Sequence, residues 1–185
     1  RESTATNTGI VERAITGFNE SVAFRQDTRT NLVAYSEDFN LFLNSKVDST
    51  ITSNFGVSPS GQLNSSRIQF ADSTAYCYTV VSVSTDHTAS VYVKGISGET
   101  IRFGIGANVV TGALFTLNGY WQRIEFTASS AAQIFFSSYS GATATDFEAF
   151  GLQLEEASQA TSYIYTNGAA VTVDSNSTSV VNNTG

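Results

Sequence analysis

Residues 151–172 read GLQLEEASQATSYIYTNGAAVT, and their first part continues a strand-like pattern that begins just before them. Apolar and polar residues alternate, so Phe150, Leu152 and Leu154 fall on one face of an extended chain. Glu155 and Glu156 come next, and neighbouring strand residues point to opposite faces. The stretch therefore predicts a buried β-strand that ends at two carboxylates. These carboxylates cannot converge on one bond as a catalytic acid and base.

The same alternation recurs along most of the chain. In WQRIEFTA, Ile124 and Phe126 share one face, while Arg123 and Glu125 share the other. Segments rich in Gly, Ser, Asn and Asp separate such runs, as turns do. Strands this short and this regularly spaced, with no βαβ alternation, indicate an all-β sandwich or barrel. The predicted strands are 31–36, 46–53, 65–71, 75–84, 87–96, 99–106, 112–117, 121–129, 132–139, 147–156 and 162–165.

Composition narrows the classes of function. The 185 residues fit one domain with a single core, and they carry a formal net charge of −7. A nucleic-acid-binding protein presents a basic surface to phosphates, so this acidic balance disfavours that function. The single cysteine excludes an internal disulfide, and the sequence has no run of 18 apolar residues that would predict a membrane span.

Individual residues give little support for catalysis. His87 is the only histidine, and it lies in the turn sequence STDHT beside Asp86 without a third member of a catalytic set. It is interpreted as a solvated turn residue. Cys77 lies between two tyrosines in a predicted strand and is interpreted as a buried apolar residue. The segment RFGIGAN at 102–108 lacks the lysine of a phosphate-binding loop. The chain is therefore predicted not to be an enzyme.

Four stretches carry a resemblance to a known family. In order along the chain they are RTNLVAYSEDFN at 29–40, SVYVKG at 90–95, GYWQRIEFTAS at 119–129 and the opening stretch at 151–172. Together they resemble the carbohydrate-binding-module-like jelly rolls of bacteriophage tail-fibre and other virion proteins, over about residues 29–173. The chain departs from the family pattern at Tyr165, where proline is usual, at Ala157, where glycine is common, and at Val173, where arginine often follows.

The resemblance implies an all-β fold, an antiparallel β-sandwich (jelly roll) with a short N-terminal extension. It implies that the TSY sequence at 161–163 fastens the exit of the last long strand across the sheet. One core is expected to contain Trp121, Ile124, Phe126, Phe150, Leu152 and Leu154. The domains expected are a connecting or docking segment at 1–28, the jelly roll at 29–173 and a polar tail at 174–185.

Two kinds of ligand follow from the resemblance. Sandwich carbohydrate modules often hold a structural calcium, and Glu37, Asp38 and Glu155 supply hard oxygen ligands for one. The alternative is that Glu155 and Glu156 are solvated charges that protect a sheet edge from strand addition. Such modules hold sugars by stacking aromatic rings on them while polar side chains orient the hydroxyl groups. The candidate sugar-binding residues are Tyr76, Tyr78, Tyr92, Arg102, Tyr120, Gln133 and Tyr139.

The function expected from the resemblance is a non-catalytic domain of a phage virion appendage that contacts host-surface polysaccharide. Its expected partners are other virion chains, in a homotrimer, and its expected location is the virion. Two alternatives stay open. The jelly roll could be a purely structural element of the virion without glycan affinity, or a targeting module of a secreted polysaccharide-degrading enzyme. The absence of methionine indicates a fragment or a processed chain.

Overall fold

The computed structural model describes residues 10–15, 18–23 and 28–174. Apart from Asp174, the predicted polar tail lies outside these residues, as does much of the predicted docking segment. The chain divides into two units, one spanning Thr30–Val171 and the other comprising Arg1–Arg29 with Thr172–Gly185. In the described part of the second unit, two strands pair as an antiparallel hairpin.

Along the described residues the elements follow one another in this order: β1 (Ile10–Ile15), β2 (Phe18–Ala23), β3 (Thr28–Asn31), α1 (Phe39–Phe42), β4 (Ser45–Val47), β5 (Ser49–Thr52), β6 (Ser66–Phe70), β7 (Tyr76–Val83), β8 (His87–Gly95), β9 (Thr100–Gly106), β10 (Ala113–Thr116), β11 (Gln122–Ala128), β12 (Ala131–Ser137), β13 (Asp146–Glu155) and β14 (Val171–Asp174). No helix among them is long and apolar enough to cross a membrane.

The larger unit is a sandwich of two five-stranded antiparallel sheets. The first sheet has the order β10–β9–β12–β7–β4, and the second has the order β11–β8–β13–β6–β5. A two-stranded sheet pairs β14 with β3. Successive strands cross repeatedly from one sheet to the other, which is the connectivity of a jelly roll. The predicted fold class, an all-β antiparallel sandwich, is confirmed.

The core lies between the two sheets and is built by alternation. In β9, Ile101, Phe103 and Ile105 are buried against the second sheet, and the aromatic ring of Phe103 lies 4.9 Å from that of Phe136 in β12. Phe136 in turn lies 5.4 Å from Phe147 of the second sheet. Each such side chain contributes about 1.5–3 kcal/mol when fully buried.

The predicted core is confirmed for Ile124, Leu152 and Leu154, and Phe126 packs against it. Phe150 is buried but lies on the other face of β13, with its ring 6.2 Å from that of Tyr92. The physical reason is an irregularity in the β13–β8 pairing between Phe150 and Gln153. The added residue moves Leu152 to the core face and leaves Phe150 outside.

The prediction that Trp121 belongs to the core is also wrong. It precedes β11, is only half-buried and is not part of the core cluster. Its indole Nε1 donates a 3.1 Å hydrogen bond to the carbonyl of Val57, and the Lys94 ammonium lies 5.8 Å from its ring. The indole therefore anchors a surface loop instead of filling the interior.

Three predicted strands differ from those observed. The predicted strand 31–36 is a strand only at Asn31, where β3 ends, and it continues as irregular chain with an isolated bridge at Tyr35. The predicted strand 46–53 is divided at Asp48, whose φ of 47° turns the chain between β4 in the first sheet and β5 in the second. The predicted strand 162–165 is irregular, because side chains instead of a strand partner satisfy its backbone. A sheet corner and a segment bound by side chains both escape an argument from alternation.

Candidate functional site

The stretch after β13 returns across the outer face of the second sheet and is fixed by Asn31. The side-chain amide of Asn31 donates to the carbonyls of Leu152 and Ile164, at 3.2 and 2.8 Å. Its oxygen accepts from the backbone N–H groups of Val33 and Leu154, both at 3.1 Å. Asn31 is fully buried, so this one side chain satisfies four buried backbone groups from three segments.

Gln153 and Glu155 hold the same segment from the β13 side. The N–H of Ile164 donates to Gln153 Oε1 at 2.7 Å, and Gln153 Nε2 donates to a Glu155 oxygen at 2.6 Å. Glu155 also accepts from the backbone N–H of Thr161 at 2.9 Å and from the Thr161 hydroxyl. Glu155 is 2% exposed, so it is not the solvated edge charge of the alternative interpretation. Gln153, Glu155 and Asn31 therefore satisfy the backbone of the exit segment, and we call these three residues the exit clasp, whereas Glu156 is exposed, as the alternative predicts.

The ring of Tyr163 packs over Gly151, next to the exit clasp. Its ring lies 5.5 Å from that of Phe150, and its hydroxyl lies 2.6 Å from Ser36 Oγ and donates to Glu37 Oε1 at 3.1 Å. Gly151 has φ of +66°, and a Cβ there would come within 3.2 Å of the Tyr163 ring. Burial, the largest effect, raises the pKa of the Tyr163 hydroxyl. The phenol therefore stays neutral and donates to the carboxylate at physiological pH.

The predicted calcium ligands do not form one set. Glu37 and Asp38 line a small polar pocket of about 100 Å³ that does not include Glu155. Both Glu37 oxygens accept hydrogen bonds from protein donors, and Asp38 Oδ1 caps α1 by accepting from two backbone N–H groups. Within the described residues, no group of three His, Cys, Asp or Glu side chains is arranged to hold a metal ion. The carboxylate oxygens of Glu37 and Asp38 therefore accept hydrogen bonds within the protein and do not form the expected calcium site with Glu155.

The outer face of the first sheet brings together five of the seven predicted sugar-binding residues. Tyr76 and Tyr78 alternate in β7 with the buried Cys77, so both rings point away from the core. The Tyr76 ring lies 5.9 Å from that of Tyr78 and 6.0 Å from that of Tyr139. All three rings are partly exposed. We call these three residues the tyrosine face.

Arg102 borders the tyrosine face, but its guanidinium donates hydrogen bonds to the protein backbone. It is 9% exposed, and its guanidinium donates to the carbonyls of Val110 and Gly112 in the loop after β9. It also donates to the carbonyl of Tyr139 at 3.2 Å and to that of Ser140 at 2.9 Å. Arg102 therefore fixes the loop at 107–112 on one half of the sheet and positions Tyr139 beside the open half.

Gln133 lies in the row next to the tyrosines. It pairs across the sheet with Val80 of β7, whose side chain is 73% exposed, and with Gly106 of β9. The Gln133 Oε1 atom is buried and has no hydrogen-bond partner within the described residues. An unpaired buried acceptor costs about 1–3 kcal/mol of folding free energy. The Gln133 oxygen therefore has the capacity to accept a further hydrogen bond at this part of the face.

The other two predicted residues lie elsewhere. Tyr92 belongs to β8 of the second sheet, where it contacts Phe150 and the Arg123 guanidinium at 5.5 Å. Tyr120 is 79% exposed in the loop before β11. Tyr92 and Tyr120 therefore lie apart from the other five candidate residues. For Tyr92 the reason is that alternation gives the face of a strand but not the sheet to which the strand belongs.

Sequence reasoning missed a charged pocket of about 350 Å³ on the second sheet. Arg67 Nε donates to Asp146 Oδ1 at 2.8 Å, and Lys94 lies 3.2 Å from Glu148. The apolar walls are Phe55 and Ile96, which are 45% and 64% exposed. We call this the charged pocket; its lining residues are Phe55, Arg67, Lys94, Gly95, Ile96, Asp146, Phe147 and Glu148. The available signal was that the charged side chains occupy the polar positions of β6, β8 and β13.

The Arg67–Asp146 ion pair keeps both of its side chains charged. The hydrogen bond from Arg67 lowers the pKa of Asp146 below its ordinary value, and the hydrogen bond to Asp146 raises the pKa of Arg67. Both groups therefore stay charged across the physiological range.

His87 and Cys77, the two residues considered for catalysis, are both buried. His87 is buried, with Nδ1 2.9 Å from the carbonyl of Thr85, so its interpretation as a solvated residue is wrong. Cys77 is fully buried in the core, and burial raises the pKa of its thiol to about 12. Its interpretation as a buried apolar residue is confirmed.

No family model and no curated protein sequence matches this chain. Among solved structures, it is similar to the N-terminal modules of endo-1,4-beta-D-xylanase 10B from Clostridium thermocellum, complexed with xylohexaose, at 16% identity and a TM-score of 0.46. That match covers 76% of this chain and 30% of the xylanase chain, so this chain spans less than a third of that protein.

Two further structures illustrate the range of matches. A family 11 carbohydrate-binding module from Clostridium thermocellum, in complex with a beta-1,3-1,4-mixed-linked tetrasaccharide, has 15% identity and a TM-score of 0.44, covering 75% of this chain and 97% of its own. The enzymatically active domain of tailspike protein 4 of bacteriophage CBA120 has 10% identity and a TM-score of 0.38, covering 60% and 18%. All three TM-scores are below 0.5.

Proposed function

We propose that this protein is a non-catalytic glycan-binding domain and that its tyrosine face holds the sugar. The observation that carries the proposal is the group of three adjoining, partly exposed rings at Tyr76, Tyr78 and Tyr139 on one sheet face, with the Tyr76 ring 5.9 and 6.0 Å from the other two. Aromatic faces attract the C–H groups of a pyranose and remove apolar area from water.

The surroundings of the tyrosine face suit a neutral polyhydroxylated ligand. Arg102 donates to four backbone carbonyls and is 9% exposed, so it offers little positive charge to an anionic ligand. Val80 extends the apolar surface beside Tyr78. A shallow site of this kind gives weak binding, because few contacts offset the cost of ordering the ligand.

Glycan arrays probed with the full chain test the proposal. Wild type should bind at least one group of neutral oligosaccharides, and Tyr78→Ala should weaken that binding roughly three- to tenfold through the loss of one stacking ring. Tyr120→Ala removes a more exposed tyrosine ring that lies away from the tyrosine face, and it serves as the control. If wild type binds no oligosaccharide on the array, the purely structural alternative is favoured. If Tyr78→Ala and Tyr120→Ala weaken binding equally, the assignment of the site to the tyrosine face is contradicted.

We further propose that the domain belongs to a bacteriophage virion appendage, where it assembles as a homotrimer and contacts host-surface polysaccharide. The support is the order of the four sequence stretches at 29–40, 90–95, 119–129 and 151–172. Repetition would compensate for a weak site, since linked sites can raise apparent affinity by roughly 10²–10⁴.

The mass of the chain in solution tests the assembly. Light scattering at micromolar concentration should give three times the mass of one chain. A deletion of residues 1–28 should lower that mass if the predicted docking segment makes the inter-chain contacts. A monomeric full chain would overturn the trimer, whereas a trimeric deletion variant would place the interface on the sandwich.

A further inference from the structure

The charged pocket on the second sheet has a rigid apolar wall. Phe55 lies in the loop before β6, and the Arg67 guanidinium lies 4.8 Å from its ring. The adjoining Gly56 N–H donates to Ser65 Oγ at 2.9 Å, and Ser65 Oγ donates to Glu148 at 2.7 Å. A side chain at Gly56 would collide with the Glu148 carboxylate, so the loop approaches the sheet as closely as glycine allows.

A third bond holds the same loop. The indole of Trp121 donates to the carbonyl of Val57, which lies two residues after Phe55. The loop is therefore attached both to the sheet and to the segment before β11. A wall held in this way loses little conformational freedom when a ligand packs against it, which favours binding.

The floor of the pocket combines two cations with two carboxylates, so its lining carries no net charge. The side chains of Arg67, Asp146 and Lys94 are 33–41% exposed, which leaves donors and acceptors available beside their ion pairs. An anionic ligand would meet both carboxylates, and a cationic ligand would meet both guanidinium and ammonium groups. A neutral ligand that carries adjacent hydroxyl groups can accept from the cations and donate to the carboxylates at once.

We propose that the charged pocket is a second binding site, for a single neutral sugar residue, on the sheet opposite the tyrosine face. The volume of about 350 Å³ lies at the lower end of small-ligand sites, which run from about 300 to 1,000 Å³. One face of the sugar ring packs on Phe55 and Ile96, and its hydroxyl groups bridge the ion pairs. The ligand class rests on the proposed function, whereas the location rests on the pocket alone.

Amide chemical shifts of the full chain test this site with defined probes. D-glucose, D-galactose and D-mannose serve as neutral probes at up to about 50 mM, because a single weak site is expected to bind in the millimolar range. D-glucuronate and D-glucosamine are ring-matched charged probes, and L-phenylalanine is a zwitterionic probe. At least one neutral hexose should produce saturable shifts at Phe55, Gly95 and Ile96, with weaker shifts from the charged sugars.

Variants separate the two sites. Phe55→Ala, at an exposed position that the core does not need, should weaken the hexose response roughly three- to tenfold. Tyr78→Ala should leave that response unchanged. Absence of saturable shifts at the pocket, with oligosaccharide binding retained on the tyrosine face, overturns this proposal and leaves the proposed function standing. Stronger binding of L-phenylalanine or of a charged sugar overturns the ligand class, and a response that Tyr78→Ala abolishes overturns the location.

Discussion

The side-chain amide of Asn31 donates a 2.8 Å hydrogen bond to the backbone carbonyl of Ile164, which lies 133 residues later in the chain. Asn31 follows the start of the jelly-roll sequence, and Ile164 lies in its exit, so this bond ties the two ends of the sandwich together. Two of the sequence stretches that carry the family resemblance thus meet at the exit clasp. Within these stretches, Asn31, Gln153 and Glu155 satisfy a buried, irregular backbone.

Replacement of Asn31 by alanine should be strongly destabilising. The change leaves four buried backbone groups without a partner, at about 1–3 kcal/mol for each one that water cannot reach. Partial relaxation should limit the loss in free energy of unfolding to roughly 2–4 kcal/mol, measured by denaturant titration. Asn40→Ala on the exposed side of α1 is the matched control, with an expected change within about 0.5 kcal/mol. Equal values for the two variants would mean that the clasp contributes nothing.

Gly151→Ala should cost more than strain alone. Gly151 has φ of +66°, and a Cβ there would approach the Tyr163 ring to 3.2 Å. Gly61→Ala is the matched control, because Gly61 has φ of +80° and open space around its Cβ position. We expect about 1–2 kcal/mol for the control, from the left-handed conformation, and a larger loss at Gly151. If the two losses agree within error, the Tyr163 ring yields freely and the packing interpretation fails.

The Arg67–Asp146 pair should give a pH-dependent coupling. The hydrogen bond from Arg67 lowers the folded-state pKa of Asp146, so the stabilisation is fully present above the unfolded-state value, near 3.9, and is lost as the pH falls through the lowered folded-state value. Because the pair is partly exposed, solvent screens the two charges and the coupling at pH 7 should be small.

A double-mutant cycle with Arg67→Gln and Asp146→Asn measures this coupling at pH 7 and at pH 2–3. The coupling should shrink at the lower pH. A coupling that is constant with pH would show that the two side chains interact through packing and not through charge.

Cys77 should be inert in the native protein. The residue is fully buried, and burial raises the pKa of its thiol to about 12, so the reactive thiolate is scarce and inaccessible at pH 8. A thiol reagent should label native protein only at the rate of unfolding, whereas the chain in guanidinium chloride should be labelled at once. Rapid labelling of the folded protein would contradict the burial of the first sheet's inner face.

The sequence was most informative where local alternation decides the outcome. Leu152 and Leu154 are correctly predicted in the core, and Cys77 is correctly predicted as a buried apolar residue. Phe150 was misplaced because the irregularity near Gly151 reverses the alternation within one strand. A glycine inside a strand is a signal for such a bulge, but it does not reveal which residue changes face.

Other features depend on contacts that no local pattern contains. Arg67 and Asp146 are 79 residues apart, and the ion pair that shapes the charged pocket forms only when β6 and β13 adjoin. Tyr92 has the same alternation as Tyr78, but its strand belongs to the other sheet. Arg102 is a predicted sugar-binding residue, but the loop at 107–112 folds back and accepts hydrogen bonds from its guanidinium.

The most direct test of the central claim is a map of amide chemical shifts on the full chain, titrated with the neutral oligosaccharide that the glycan array selects. If the tyrosine face binds the glycan, saturable shifts will cluster in β7 and β12 and at Tyr139, and Tyr78→Ala will weaken them roughly three- to tenfold. Saturable shifts confined to the exit segment at 161–166 or to the loop before β11, with β7 and β12 unchanged, would contradict the claim.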